Sequence, residues 1–141
     1  MKKAGIITIY GFYENYGNRL QNYAVQEILK KYGIDAKTII YVSKNRNLQN
    51  QNYNKERLEA FERFNNKINF YHKELYAIED PEQGFGNDLD YFIIGSDQIW
   101  NFTFKRIFSP RVFANFTNTH KKIALSASIG VNYVPDKDSE E

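Results

Sequence analysis

Three short polar clusters in this sequence each follow an apolar run, and their residue types suit the handling of anions and hydroxyl groups. The first is Asn15, Tyr16, Gly17, Asn18 and Arg19. The second is Gly95, Ser96, Asp97 and Gln98, with Trp100 and Asn101 close behind, and the third holds Ser126, Ser128 and Gly130. Gly17 would let the backbone approach a ligand closely, and a helix opening near Asn18 would offer free amide N–H groups and the positive end of its dipole. A phosphate or carboxylate suits that arrangement, and Arg19 could add a charged fork. Asp97 could accept a proton from a hydroxyl if burial raised its proton affinity, or it could cap the turn that holds Gln98 to Asn101. Trp100, the single tryptophan, could offer a ring face to a ligand or serve as ordinary packing. The spacing at 15–19 is neither the Gly-x-Gly-x-x-Gly dinucleotide fingerprint nor the lysine-bearing phosphate loop of nucleotide hydrolases.

These clusters need a scaffold that brings them together, and the hydrophobic pattern supplies one. Ala4 to Tyr10 reads as a strand with β-branched Ile6, Ile7 and Ile9, stopped by Gly11. A helix follows, with Leu20, Tyr23, Ala24, Ile28 and Leu29 on its expected apolar face and Gly33 as its left-handed terminator. Ile34 to Val42 alternates as a second strand, completing a βαβ unit. Residues 43–54 are polar and asparagine-rich, which predicts a mobile loop. An apolar stripe of Leu58, Phe61, Phe64 and Ile68 predicts a helix from Lys55 to about Tyr71 that covers the sheet. Residues 72–88 are irregular, with Pro81, Gly84 and Gly86 as breakers. Tyr91 to Ile94 reads as a strand buried on both faces, Phe102 to Asn118 as a surface loop or lid, and Lys122 to Ala127 as a further buried strand. The fold class is therefore α/β: a Rossmann-like parallel sheet with helices on both faces, spanning residues 1–135. In such a sheet all three clusters share the carboxyl edge, where open α/β folds keep their ligands. Residues 136–141 read as an acidic tail, like the first turn of a helix cut short, so truncation is expected.

Composition narrows the field. The 141 residues suit one domain, and 19 basic against 17 acidic side chains leave a net charge of +2, which argues against nucleic acid as a partner. No cysteine is present, so disulfides and thiolate metal sites are excluded. His72 and His120 are too far apart for a paired metal motif, and no metal or cofactor is expected. The basic Met1-Lys2-Lys3 start is followed by too short an apolar run for a signal peptide, and no stretch reaches the length of a membrane span. The sequence reads as a cytoplasmic domain.

Taken together, Gly5 to Ile9, Asn15 to Ala24, Phe92 to Asn101 and Lys122 to Gly130 resemble the polysaccharide pyruvyl transferase family in wording, order and spacing. The Gly-Ser-Asp-Gln-Ile-Trp-Asn run from Gly95 to Asn101 is the most specific part. The resemblance extends from about Gly5 to Pro135 and corresponds to the amino-terminal half of family members. It implies a two-domain, GT-B-like architecture that moves a pyruvyl group from phosphoenolpyruvate to a sugar of a cell-surface polysaccharide, as in exopolysaccharide biosynthesis. It also implies that Asn15, Gly17, Asn18, Gln21, Ser96, Asp97, Gln98 and Trp100 line a cleft. The family's Arg-Leu-His type motif, held to bind the donor, has no counterpart here. A chain inactive alone, self-associating or pairing with a carboxy-terminal half, is thus expected. Two other readings stay open: a non-catalytic glycan- or anion-binding domain, and a flavodoxin-like module holding a phosphorylated cofactor at residues 15–19.

Overall fold

The computed structural model describes residues 1–10, 15–42, 54–95 and 97–133. Its elements run β1 (Lys2–Ile7), α1 (Tyr16–Lys31), β2 (Ile34–Thr38), β3 (Tyr41–Val42), α2 (Lys55–Asn65), β4 (Leu75–Tyr76), β5 (Tyr91–Ile94) and β6 (Lys122–Ala124). Four strands form one parallel sheet in the order β2-β1-β5-β6, and β3 and β4 make a small parallel pair beside it. The fold is α/β and Rossmann-like. Ala4 pairs with Ala36 on one side and Tyr91 on the other, so β1 is flanked on both edges. The chain moves outward from β1 to β2, then returns to lay β5 on the opposite edge. That reversal between β1 and β5 is a topological switch point.

Successive residues of a strand point to opposite faces, and in the central strands β1 and β5 both faces are buried. Ala4, Ile6, Ala36 and Ile93 pack against Val25 and Leu29 of α1. On the other face Ile7, Phe92 and Ile94 join Ile39, Leu75 and Val112. Turn-rich chain from Tyr71 to Phe116 covers that second face, including a 3-10 turn at Pro110–Phe113. Instead of covering the sheet, α2 leans on α1, with Phe61 stacked on Tyr16 and Phe64 edge-on to Tyr23.

Several elements depart from expectation for identifiable reasons. The first strand begins at Lys2, because Lys2 pairs with Ile34, and ends at Ile7. The expected strand 34–42 breaks after Thr38 and resumes as β3 to meet β4. The helix expected to reach Tyr71 stops at Asn65, since residues 69–71 extend along β2: Thr38 donates to the Asn69 carbonyl and accepts from the Tyr71 amide, each at 2.8 Å. The last strand ends at Ala124, with Ser126 at φ 51°. Nor is it buried: among the described residues β6 is an outer edge, and Ile123 is 42% exposed. Gly33 does terminate α1 at φ 72°. The expected loop at 43–54 lies outside the described residues except for Asn54, which caps α2.

The largest departure is the rotation of α1. Its buried residues are Arg19, Asn22, Val25, Gln26 and Leu29, whereas Leu20 and Ile28 face solvent. Buried hydrogen bonds hold the helix in this orientation. Thr38 Oγ1 is bonded by Asn22 Oδ1 and by Gln26 Nε2, the latter at 2.9 Å. Gln26 also clasps the Asn69 backbone, donating to its carbonyl at 2.8 Å and accepting from its amide at 2.9 Å. Gln26→Met should therefore cost about 2 kcal/mol in urea denaturation, because it strips partners from Asn69 and Thr38 together. A loss within about 0.5 kcal/mol of the parent would show that water replaces the amide.

Candidate functional site

The carboxyl ends of β1 and β5 meet at Asp97. Its Oδ2 accepts from Thr8 Oγ1 at 2.7 Å and from the Ile9 amide at 2.8 Å, which ties the β5 loop to the end of β1. Oδ1 is buried and makes no well-aligned hydrogen bond. Burial pushes the Asp97 carboxyl above its ordinary range, against the opposing pull of Thr8 and the Ile9 and Ile99 amides. Gln21, in the second turn of α1, stands behind Thr8, its Oε1 3.2 Å from Thr8 Oγ1. Thr8 has one proton and gives it to Asp97, so it can only accept from Gln21. The amide orientation with Nε2 toward Thr8 satisfies that requirement and gives the buried nitrogen a partner.

α1 opens onto the same place. Asn15 caps it, accepting from the Asn18 amide at 3.0 Å, and Asn18 Nδ2 donates to the Ile9 carbonyl at 2.7 Å. Ile9 is thus bound through its amide to Asp97 and through its carbonyl to α1. A Cβ at Gly17 would come within 3.1 Å of the capping Asn15 oxygen, and the first turn carries no acidic residue to repel an anion.

A family model for polysaccharide pyruvyl transferase matches residues 15–140. The chain belongs to that family. No curated protein and no solved structure matches it. Within this pyruvyl transferase family member the match takes in α1, the Gly95–Asn101 run and β6.

The residues singled out in the sequence fall into distinct groups in this pyruvyl transferase family member. Asn15, Gly17, Asn18, Gln21 and Asp97 converge on the end of β1. Gly95 lies beneath the chain after β6 at φ 109°, with no room for a Cβ against the Leu125 carbonyl. Arg19 is 3% exposed and engaged elsewhere: its guanidinium lies 3.9 Å from the Tyr10 ring centroid and Nε donates to Asn65 Oδ1 at 3.1 Å. Trp100 stacks on Phe113 and donates to the Val112 carbonyl at 3.1 Å. Asn101 is buried, linking Gln98 to the Thr103 amide. Ser126 and Ser128 are exposed, and Ser128 contributes backbone bonds to Asp97 and Trp100. Ser96 lies outside the described residues. Thr8 is the residue the sequence reading passed over, although a lone hydroxyl in the run Gly5-Ile-Ile-Thr-Ile was its signal. Among the described residues no helix is long and apolar enough to cross a membrane, and no three His, Cys, Asp or Glu could hold a metal ion. A recess of ≈ 440 Å³ at the amino ends of the strands has its lysines engaged, Lys2 by Asp90 and Lys121 by the Leu89 carbonyl.

Proposed function

We propose that this chain takes part in transfer of a pyruvyl group from phosphoenolpyruvate to a sugar of a cell-surface polysaccharide, with the β1–β5 crevice as its share of the site. In that reaction the methylene carbon of phosphoenolpyruvate gains a proton and a sugar hydroxyl attacks the adjacent carbon. Phosphate then departs, and a second hydroxyl closes the ketal. The observation that carries the reading is the half-satisfied Asp97 carboxylate at the switch point. Held through Oδ2 and raised in proton affinity, it is suited to take the proton of an attacking hydroxyl that enters the crevice and reaches the buried Oδ1. The amide-rich opening of α1 around Gly17 is suited to a phosphate or carboxylate. The acid for the methylene and the cations for the donor are assigned to groups supplied elsewhere in the enzyme, in keeping with the missing Arg-Leu-His motif. The test is phosphate release from phosphoenolpyruvate that depends on an added sugar acceptor. Release unaffected by changes at Asp97 would remove that residue from the chemistry.

One observation favours a second reading, a non-catalytic domain that holds a glycan or anion. Arg19, the cation nearest the α1 opening in sequence, is engaged with Tyr10 and Asn65. Specific glycan binding with no acceptor-dependent phosphate release in the whole enzyme would decide for it.

A further inference from the structure

We propose that the exposed face of α1 is the contact between two copies of this chain, packed antiparallel about a two-fold axis at Ala24. The rotation of α1 leaves Leu20 58% and Ile28 49% exposed, between Tyr16, one face of which stacks on Phe61 of α2, and Tyr32, which caps the helix. These four residues and Ala24 are spaced by four, reading Tyr, Leu, Ala, Ile, Tyr, which is a near-palindrome about Ala24. At 3.6 residues per turn, Gly17 and Lys31 lie within about 20° of the Ala24 direction and Leu20 and Ile28 within about 40°, one on each side. A two-fold contact demands such self-complementarity, because residue i must meet j wherever j meets i. Turning a second helix antiparallel about Ala24 sets Leu20 against Ile28 and Ala24 against itself. The small Gly17 and Ala24 along the centre allow close approach of the helix axes, and rows four apart are the ridges by which helices interlock.

Charge selects the antiparallel sense. Glu27 and Lys31 then each lie opposite a position with no charged side chain on this face, because Gln21 is turned inward to Thr8 and residue 17 is glycine. A parallel pair would instead set Glu27 against Glu27 and Lys31 against Lys31. Antiparallel packing also opposes the two helix dipoles. The other charged residues of α1 do not interfere, since Arg19 is buried within its own protomer and Lys30 lies off this face. One helix face is small for an interface, so dissociation on the order of 100 µM is expected. The contact borders Gly17, at the α1 opening assigned above to the donor, but it rests on no step of pyruvyl transfer.

Sedimentation equilibrium of the 141-residue chain from about 10 µM to about 1 mM tests it. The average mass should rise from monomer to dimer, and Ala24→Glu, which places two like charges on the axis, should hold it at monomer with an unchanged melting curve. Because the chain has no cysteine, engineered thiols report the geometry directly. Under mild oxidation Ala24→Cys should cross-link to itself, whereas Leu20→Cys should cross-link to Ile28→Cys faster than to its own kind. A monomer across the whole range, a dimer that survives Ala24→Glu, or preferential self-linking of Leu20→Cys would overturn the proposal.

Discussion

Asp97→Asn is expected to lower acceptor-dependent phosphate release by the whole enzyme by on the order of 100-fold or more, the scale of a lost general base, without loss of folded stability. The substitution keeps an oxygen to accept from the Ile9 amide, the bond that fixes the loop at 2.8 Å. It removes the capacity to take a proton and sets an amide nitrogen at the buried Oδ1 position. Burial raises the Asp97 pKa in the folded protein. Between the unfolded and folded values the native state therefore binds more protons than the unfolded chain. The favourable contribution of this group is fully present below the unfolded pKa and is lost as pH rises through the folded one. At neutral pH the buried carboxylate works against folding, so the asparagine variant should melt at the same temperature or higher, and its advantage should shrink on acidification. Activity of the parent should fall on the acid side with a midpoint above the usual aspartate range. Differential scanning calorimetry and a pH–rate profile read both arms. A variant that retains turnover, or that melts well below the parent across the pH range, would mean that Asp97 is a staple between β1 and β5 and nothing more.

The second large effect is expected at Gly95. Its φ of 109° is closed to ordinary side chains, and a Cβ there would run into the Leu125 carbonyl and stand 2.9 Å from the Ala127 amide nitrogen. Both neighbours are backbone, fixed by Leu125 donating to the Ile94 carbonyl at 2.8 Å, so no side chain can swing aside. Gly95→Ala should destabilise by about 3 kcal/mol or more, combining backbone strain with overpacking. Gly33→Ala is the matched comparison. It also has a positive φ, 72°, but opens onto space with no atom within 4 Å, and should cost only about 1 kcal/mol. Equal losses for the two in urea denaturation would show that conformation alone decides, and that the close passage of the chain after β6 contributes little.

The sheet was legible because a strand flanked on both edges and buried on both faces reads as an apolar, β-branched run; Gly5 to Ile9 and Tyr91 to Ile94 are of this kind. The meeting of α1 with the Gly95–Gln98 loop followed from placing both at carboxyl ends. The orientation of α1 was not legible. Amphipathic reading assigns polar residues outward, yet Asn22 and Gln26 are buried by hydrogen bonds to Thr38 and Asn69, partners far off in sequence. The early end of α2 has the same origin, since Thr38 draws residues 69–71 into extended pairing that helical periodicity cannot reveal. Trp100 illustrates the limit for sites. The sequence left its ring open to a ligand or to packing, and the partner it stacks on, Phe113 at 5.6 Å, comes from a stretch with no regular period.

Titration of phosphoenolpyruvate into the isotopically labelled chain, followed by amide NMR, tests the central assignment most directly. The account predicts saturable shifts at Ile9, Gly17 and Asn18, where the amides of α1 and the end of β1 meet. Shifts absent from these residues and gathered instead around Lys2 and Lys121 would contradict it.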